Sequence, residues 1–522
     1  MKIDFNNINF YSPLVKDYIN GNLKENNVIG WDYNIESVVK KTATRQFENR
    51  KLLVASLTQQ NSNTSLSEVS SANIEKLNQE NCFTVCTGHQ LNIFGGPAYF
   101  YTKILDVINL SKRMNTQQGD YYYVPVFWMA SEDHDFEEIS ISNLFNKKIK
   151  WDNDTKGPVG RMNTESIKEV YSQFKSILGE TNKALELADI FEQAYCSGRN
   201  LADATRFFVN EIFKNEGLVI LDGDDTGLKQ LLTPVVGKEI KSRITESSVT
   251  KGINKISSYK IQAKPRSVNL FYLDTNYRER IVIENNVVQT ADKMHNWTLD
   301  EFINISEKNP EKISPNVFLR PIYQELCLPN VAYVGGAGEI SYWLELPELF
   351  KNLNIPFPVP VVRNSYLYLN QKQFETINKH AFNVVDFFKD ESTLIKDYLE
   401  RTSGDKLKLS KEKEELSRIF KEIQAKSAEI DKDLENVVKG ELKRSLKSMN
   451  NMEKRFRNAE KSKKQQETAS ISKIKSVYFP NGNFQERTNS FFDFVLKSEY
   501  DLFKKVIESN VPFDNSIKVI FY

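Results

Sequence analysis

The chain has 522 residues, 40% of them apolar, and 70 Lys plus Arg stand against 69 Asp plus Glu for a formal charge of +1. That length sets an expectation of about two to four domains. The neutral balance argues against a general nucleic-acid or anionic-membrane binder, and an aromatic content of 11% excludes wholesale disorder. No window of about 18 residues is continuously apolar, so no membrane-spanning helix is expected. Residues 1–13 are polar and lack the apolar stretch of a signal peptide. Cys82, Cys86, Cys196 and Cys327 form neither a CxxC pair nor a disulfide framework. These features describe a soluble, reduced, cytoplasmic protein.

From 82 to 365 short apolar runs alternate with helical stretches. The runs are 82–86, 123–129, 218–221, 331–334 and 358–362. Each is rich in β-branched or aromatic side chains, as suits strands buried on both faces. Helical segments fall at about 97–114, within 165–215, and at 227–246 and 339–352. This alternation predicts an α/β fold, a Rossmann-like doubly wound parallel sheet occupying 1–370. Two insertions interrupt it: a mostly helical one at 140–215 and a small antiparallel one at 250–290 with a tight turn at Asn285-Asn286.

Residues 371–476 read as an α-helical coiled coil. Leu416, Ile423, Ile430 and Val437 recur every seven residues, with Phe420, Ser427 and Leu434 as the partner series. Leu442, Met449 and Phe456 form a second series out of phase with the first. The break near 431–440 is either a stutter or the turn of an antiparallel hairpin, and the globular texture that resumes at 478–482 favours the hairpin. Some forty helical residues would project about 60 Å. The segment 477–522 ends in an apolar run, 516–522, expected to be a strand that returns to the first domain.

Chemistry is expected where strands end. Thr87, Gly88, His89 and Gln90 lead through Gly95 and Gly96 into a helix, a glycine-rich turn that aims N–H groups at an anion or simply lets strand meet helix. After the next strand come Ser131, Glu132, Asp133, His134, Asp135 and Glu137. Such a carboxylate cluster needs a cation, a substrate ammonium or a raised pKa to offset its repulsion; the bland reading is a solvated loop capping a helix near Phe136. Two of the four His, His89 and His134, lie in these two loops. Asp225 follows the third strand and either adds a carboxylate or caps a helix. Gly335, Gly336, Gly338 and Glu339 form another glycine turn, and Arg363 and Asn364 close the last strand. Asn481, Gly482, Gln485 and Arg487 form a turn after the coiled coil. No HExxH, three-His or CxxC pattern supports a zinc site, and no GxSxG elbow is present.

These motifs resemble the BshC family, the cysteine ligases of bacillithiol biosynthesis. The resemblance rests on Thr87-Gly88-His89-Gln90 with Gly96-Pro97, on the run from Val124 to Trp128 followed by Glu132-Asp133-His134-Asp135-Phe136-Glu137, and on Leu221 to Asp225. Arg320-Pro321, Gly335-Gly336-Ala337-Gly338-Glu339, Arg363-Asn364-Ser365 and Phe479 to Gly482 with Gln485-Glu486-Arg487 extend it over nearly the whole chain. It implies a Rossmann-like body with connecting-peptide insertions and a helical domain that supports a homodimer. The implied activity adds L-cysteine to the glucosamine amine of glucosaminyl-malate. A nucleotide site near Asn481–Arg487 is implied as well. Joining a carboxylate to an amine in water needs an activated acyl group, so ATP, with Mg²⁺, is expected to adenylate the cysteine carboxylate. The glycine turns would hold phosphate oxygens, and Asp133 or Asp135 would orient His134 to deprotonate the sugar ammonium. Glu339 and Asp225 would hold the cysteine ammonium or Mg²⁺. Some family members carry Gln at the position of His89, which favours His134 for the acid–base step. Two other readings stay open: a nucleotidyltransferase using the same turns, and a non-catalytic scaffold that recruits partners through the coiled coil.

Overall fold

Five of the expected apolar runs become the strands of one parallel sheet: β1 (Cys82–His89), β2 (Tyr122–Met129), β3 (Val219–Asp222), β4 (Asn330–Gly335) and β5 (Val359–Val362). Their spatial order is β5-β4-β1-β2-β3, and β1, β4 and β5 are buried at every position. The computed structural model describes residues 1–117, 119–498 and 501–522. Two compact units emerge, Met1–Tyr368 with Glu486–Ile520 and Tyr522, and Leu369–Gln485 with Phe521. The chain thus re-enters the first unit at Glu486, later than the expected 477.

Register fixes what the sheet can do. His89 pairs with Met129, Met129 with Asp222, Tyr333 with Cys86, and Gly335 with Val362. The carboxyl ends of all five strands are therefore level, and every following loop opens on one edge. From β1 the chain moves to β2 on one side, and from β4 it moves to β5 on the other. The β1/β4 boundary is the switch point at which open α/β sheets bind ligands.

The insertions differ in detail from the expectation. The first opens with a hairpin, Ile141–Leu144 with Lys147–Lys150, before the helices Ile167–Leu178, Asn182–Tyr195 and Leu201–Ile212. Its turn residues, Phe145 and Asn146, have φ of 51° and 61°, so no glycine marks it. The second is a five-stranded antiparallel sheet of Leu270–Asp274, Tyr277–Glu284, Val287–Thr290, Asn296–Thr298 and Ile313–Pro315. Asn285 and Asn286, at φ of 50° and 64°, make the expected tight turn. The sheet runs past 290 because its edge strand is three residues ending in Pro315, too short for a periodic signal, while the start of the expected window lies in the helix Ile244–Lys255.

In the second unit α3 (Ser410–Ile430) and α4 (Leu434–Lys463) form an antiparallel hairpin, with Gln424 bonded to Glu435 at 2.6 Å and Lys413 paired with Glu453 at 2.7 Å. The series Leu416 to Val437 therefore crosses the turn and is not one seam; Ile430 and Val437 are 79% and 59% exposed. Helices of 21 and 30 residues reach about 32 and 45 Å, short of the expected 60 Å. The chain ends in the strand Ser516–Phe521, which pairs antiparallel with Lys2–Asp4. Among the described residues no helix is long and apolar enough to cross a membrane.

Below the sheet edge, α1 (Ala98–Thr116) begins after Phe94, whose ring stacks on Phe174 at 4.2 Å. Gly95 is buried at φ +75°, and a Cβ there would lie 1.6 Å from the Tyr101 hydroxyl. Gly95→Ala should cost about 3 kcal/mol or more, from overpacking and left-handed strain together. Thermal unfolding should show a lowered midpoint; an unchanged midpoint would contradict this packing.

Candidate active site

Two cavities open at the switch point. One, of about 240 Å³, is lined by Trp128, Asp133, Arg278, Arg320, Tyr333 and Tyr342 among others. The other, of about 290 Å³, is lined by Tyr99, Lys103, Glu138, Gly336, Gly338, Arg363 and Arg487. Gly88, His89, Gln90 and Glu339 line both, so these four residues form a shared wall. The loops after β1, β2, β4 and β5 thus meet, as consecutive strand ends of one sheet require.

The wall is locked by a charge pair. Glu339 lies in the first turn of α2 (Ala337–Trp343). It accepts from Lys103 Nζ at 2.8 and 3.1 Å, from the Tyr333 hydroxyl at 3.1 Å and from Gly336 N at 2.7 Å. Lys103, 2% exposed on α1, also donates to the Gly88 carbonyl at 2.5 Å. Burial would push the Glu339 carboxyl up, but the Lys103 ammonium and the Gly336 N–H outweigh it and hold it below the ordinary value. Burial pulls the Lys103 ammonium down against that pair. Glu339 is thereby saturated by the protein, and the Gly336 N–H is spent on it rather than on a ligand.

His89 is buried against Tyr99 and Phe100. Its Nδ1 lies 2.9 Å from the Gln90 carbonyl, which makes Nδ1 the protonated nitrogen. Burial, then the Lys103 charge, lowers its pKa to about 3, so the ring is neutral. Asp133 is bonded by Gln90 Nε2 at 2.5 Å, by Arg278 at 3.2 Å and by its neighbour's backbone N–H at 2.8 Å. Burial opposes ionisation there, but His134, Arg278 and Gln90 together hold this carboxyl well below the carboxylate range. His134 sits beside the cavity, half exposed; its Nδ1 faces Arg278 at 2.5 Å and Asp133 at 3.4 Å. Gln90 Oε1, Arg278 Nε and Arg363 Nε are buried without a hydrogen-bond partner, and all three side chains line the cavities. Within the cavities these three atoms are donors and an acceptor open to a bound group or an ordered water.

Other expected site residues serve the scaffold. The Thr87 hydroxyl donates to the Val334 carbonyl at 2.7 Å, tying β1 to β4. Gly95 and Gly96 pack against Tyr101 and Asn92, away from both cavities, because a glycine turn here relieves crowding. Gly335 lies buried under Tyr333 and Glu339. Ser131 bonds Asp222. Asp135 caps the helix Phe136–Ile139 and Asp225 caps Thr226–Lys229, so neither orients His134 nor faces the cavities. Asn364 is bound up with Asp106 and Asn510. Glu132 does line the first cavity, paired with Lys229 at 2.7 Å; Lys229 also holds Asp224 at 2.8 Å. Asn481, Gly482 and Gln485 belong to the second unit, with Asn481 at φ 53° in an exposed turn. Lys103 and Arg278, which line the cavities, were not singled out by pattern, each lying within an ordinary helix or strand, and Arg320 entered only through the Arg320-Pro321 match of the resemblance.

The description "Bacillithiol biosynthesis BshC, N-terminal Rossmann-like domain" matches residues 1–364, and "Bacillithiol biosynthesis BshC, C-terminal coiled-coil domain" matches 366–522. The chain belongs to the BshC family. It is 36% identical over 522 residues to a protein of Flavobacterium johnsoniae, covering 99% of each. It is likewise 36% identical to one of Christiangramia forsetii, covering 100% of this chain and 98% of the other, and 28% identical to one of Staphylococcus carnosus over 61% and 62%. All three bear the name "Putative cysteine ligase BshC". BshC membership sets the chain among the ligases of bacillithiol biosynthesis.

A carboxyl held low contributes stability that is present above its unfolded pKa and lost as pH falls through its folded value. Glu339→Gln should therefore flatten the acid limb of stability below about pH 5, read by urea unfolding across pH. An acid limb identical to that of the parent would contradict the ion pair.

Proposed function

We propose that the chain joins L-cysteine to the glucosamine amine of glucosaminyl-malate, giving bacillithiol through nucleotide-dependent activation of the cysteine carboxylate. Family membership supports this reading, and one structural observation carries it: two cavities with a common wall. An amide ligase must hold an acyl donor and an amine with their reacting ends together, and positioning alone supplies several kcal/mol of the barrier.

The Trp128 cavity suits the sugar. The Arg278 and Arg320 guanidinium groups match the two malate carboxylates, and Trp128, Tyr333 and Tyr342 line the space beside them. Arg278 now faces His134 Nδ1. Once Arg278 turns to a substrate carboxylate, Nδ1–H donates to Asp133, and Nε2 is left to take the proton of the sugar ammonium. Asp133 stays ionised and stabilises the imidazolium. His89, buried and neutral with its single N–H on Nδ1, shapes the wall and takes no part in the proton transfer.

ATP supplies the activation that turns a cysteine carboxylate oxygen into a leaving group. The Gly336 N–H of the expected glycine cradle is spent on Glu339, and Arg363 and Arg487 are the residues that would hold the cysteine carboxylate as it is activated. Among the described residues no group of three or more His, Cys, Asp or Glu side chains is arranged to hold a metal. A Mg²⁺ ion would enter on the triphosphate with most of its water, and no step here is assigned to it.

With cysteine, glucosaminyl-malate and Mg-ATP, the purified chain should form bacillithiol and consume nucleotide, followed by mass spectrometry and phosphate release. His134→Ala should lower kcat by about 10²-fold or more, and His89→Gln should change it little. Product without nucleotide, or full turnover in His134→Ala, would contradict the scheme. The homodimer is supported by apolar side chains left exposed on α3 and α4, Ile423, Ile430, Val437, Met452 and Phe456. Sedimentation velocity should give a dimer, and Phe456→Lys with Ile430→Lys should give a monomer; a monomeric parent chain would exclude it.

A further inference from the structure

We infer that the Arg363 cavity is an α-amino-acid site, in which Arg363 Nε and Arg487 take the carboxylate and Glu138 takes the ammonium of the incoming cysteine. This rests on the ligase reading and assigns Glu138, the last residue of the acidic run that follows β2, a specificity role.

The cavity's charges sort into spent and free. Lys103 and Glu339 are consumed by each other. Arg363, 4% exposed, gives Nη2 to Glu486 at 2.7 Å and Nη1 to the Asn364 carbonyl at 3.0 Å. Glu486, fully buried, also accepts from Tyr366 N at 2.9 Å, so the guanidinium is held at two points while Nε stays unpaired. A Cβ on Gly336 would lie 3.8 Å from that Nε, which places the free donor at the cavity wall. Arg487, the residue after Glu486, is exposed and lines the same space.

One free carboxylate faces these donors. Glu138 lines the cavity, its main-chain carbonyl accepts from Asn92, and no ion pair satisfies its side chain among the described residues. Partial burial, then Asp135 and Asp133, raise its carboxyl, while the residue as a whole stays open to solvent. Tyr99, Glu138, Glu339, Arg363 and Arg487 all line this one space. Two unspent cationic donors and one unspent carboxylate around about 290 Å³ complement a small zwitterion. A purely anionic ligand would leave Glu138 unpaired and repelled.

Isothermal titration of the full chain tests this with three probes, each with and without a nonhydrolysable ATP analogue. L-Cysteine carries both termini, cysteamine lacks the carboxylate and 3-mercaptopropionate lacks the ammonium. Both analogues should bind about tenfold or more weakly than cysteine, a charge-assisted hydrogen bond being lost each time. Glu138→Gln should weaken cysteine and leave 3-mercaptopropionate unchanged. Arg487→Gln should weaken both of these and spare cysteamine. Parent-like cysteine affinity in Glu138→Gln, equal weakening of both thiols by that variant, or no cysteine binding under either condition would overturn the assignment. Bacillithiol formation, assayed separately, distinguishes the two claims. Product formed with an unchanged KM for cysteine in Glu138→Gln removes this site but keeps the ligase. Cysteine bound as described but never converted keeps the site and removes the ligase.

Discussion

The level carboxyl ends of the five parallel strands are the constraint on which the rest depends. Because β1 sits centrally and pairs in register with both β2 and β4, residues as distant in sequence as Gly88, Asp133 and Glu339 are forced to one edge. The Lys103–Glu339 pair then fastens the turn after β4 to the carbonyl at the end of β1. Removing one partner would leave an uncompensated buried charge at the wall that both cavities share. Scaffold and site are therefore the same construction seen at two scales.

Much of this was legible in the chain. Strands buried on both faces announce themselves as apolar runs, so the sheet's members and the clustering of loops at its edge could be read directly. The helical hairpin followed from a break in a seven-residue pattern, although the pattern itself misled: Ile430 and Val437 share a heptad position and lie on opposite sides of the turn. Polar and glycine residues at strand ends proved the harder class. Thr87, Ser131, Asp135, Asp225, Gly95 and Asn364 have the composition of a site, yet they tie strands, cap short helices or relieve crowding. A strand end needs such residues whether or not it binds anything.

What stayed hidden was long-range. Arg278 reaches Asp133 across 145 residues, from an insertion whose closing strand leaves almost no pattern. Lys103 lies in the middle of an apolar helix, and its role appears only when Glu339 is folded against it. Glu486 arrives after the whole helical segment to grip Arg363. Local periodicity cannot report contacts of this kind, because the partner that gives each charge its meaning lies in another element.

The chemistry is one of spent and unspent charge. Most ionic groups at the crevice are neutralised within the protein, and the few left over, Arg278 Nε, Arg363 Nε, Arg487 and Glu138, define what a ligand must bring. The most direct test is a crystal structure of the chain with L-cysteine and glucosaminyl-malate bound together. The account predicts the amino acid and the sugar on either side of the Gly88, Gln90 and Glu339 wall, with the amine nitrogen about 3–3.5 Å from the carboxyl carbon. Ligands lodged on separate faces of the molecule, or both away from that wall, would contradict it.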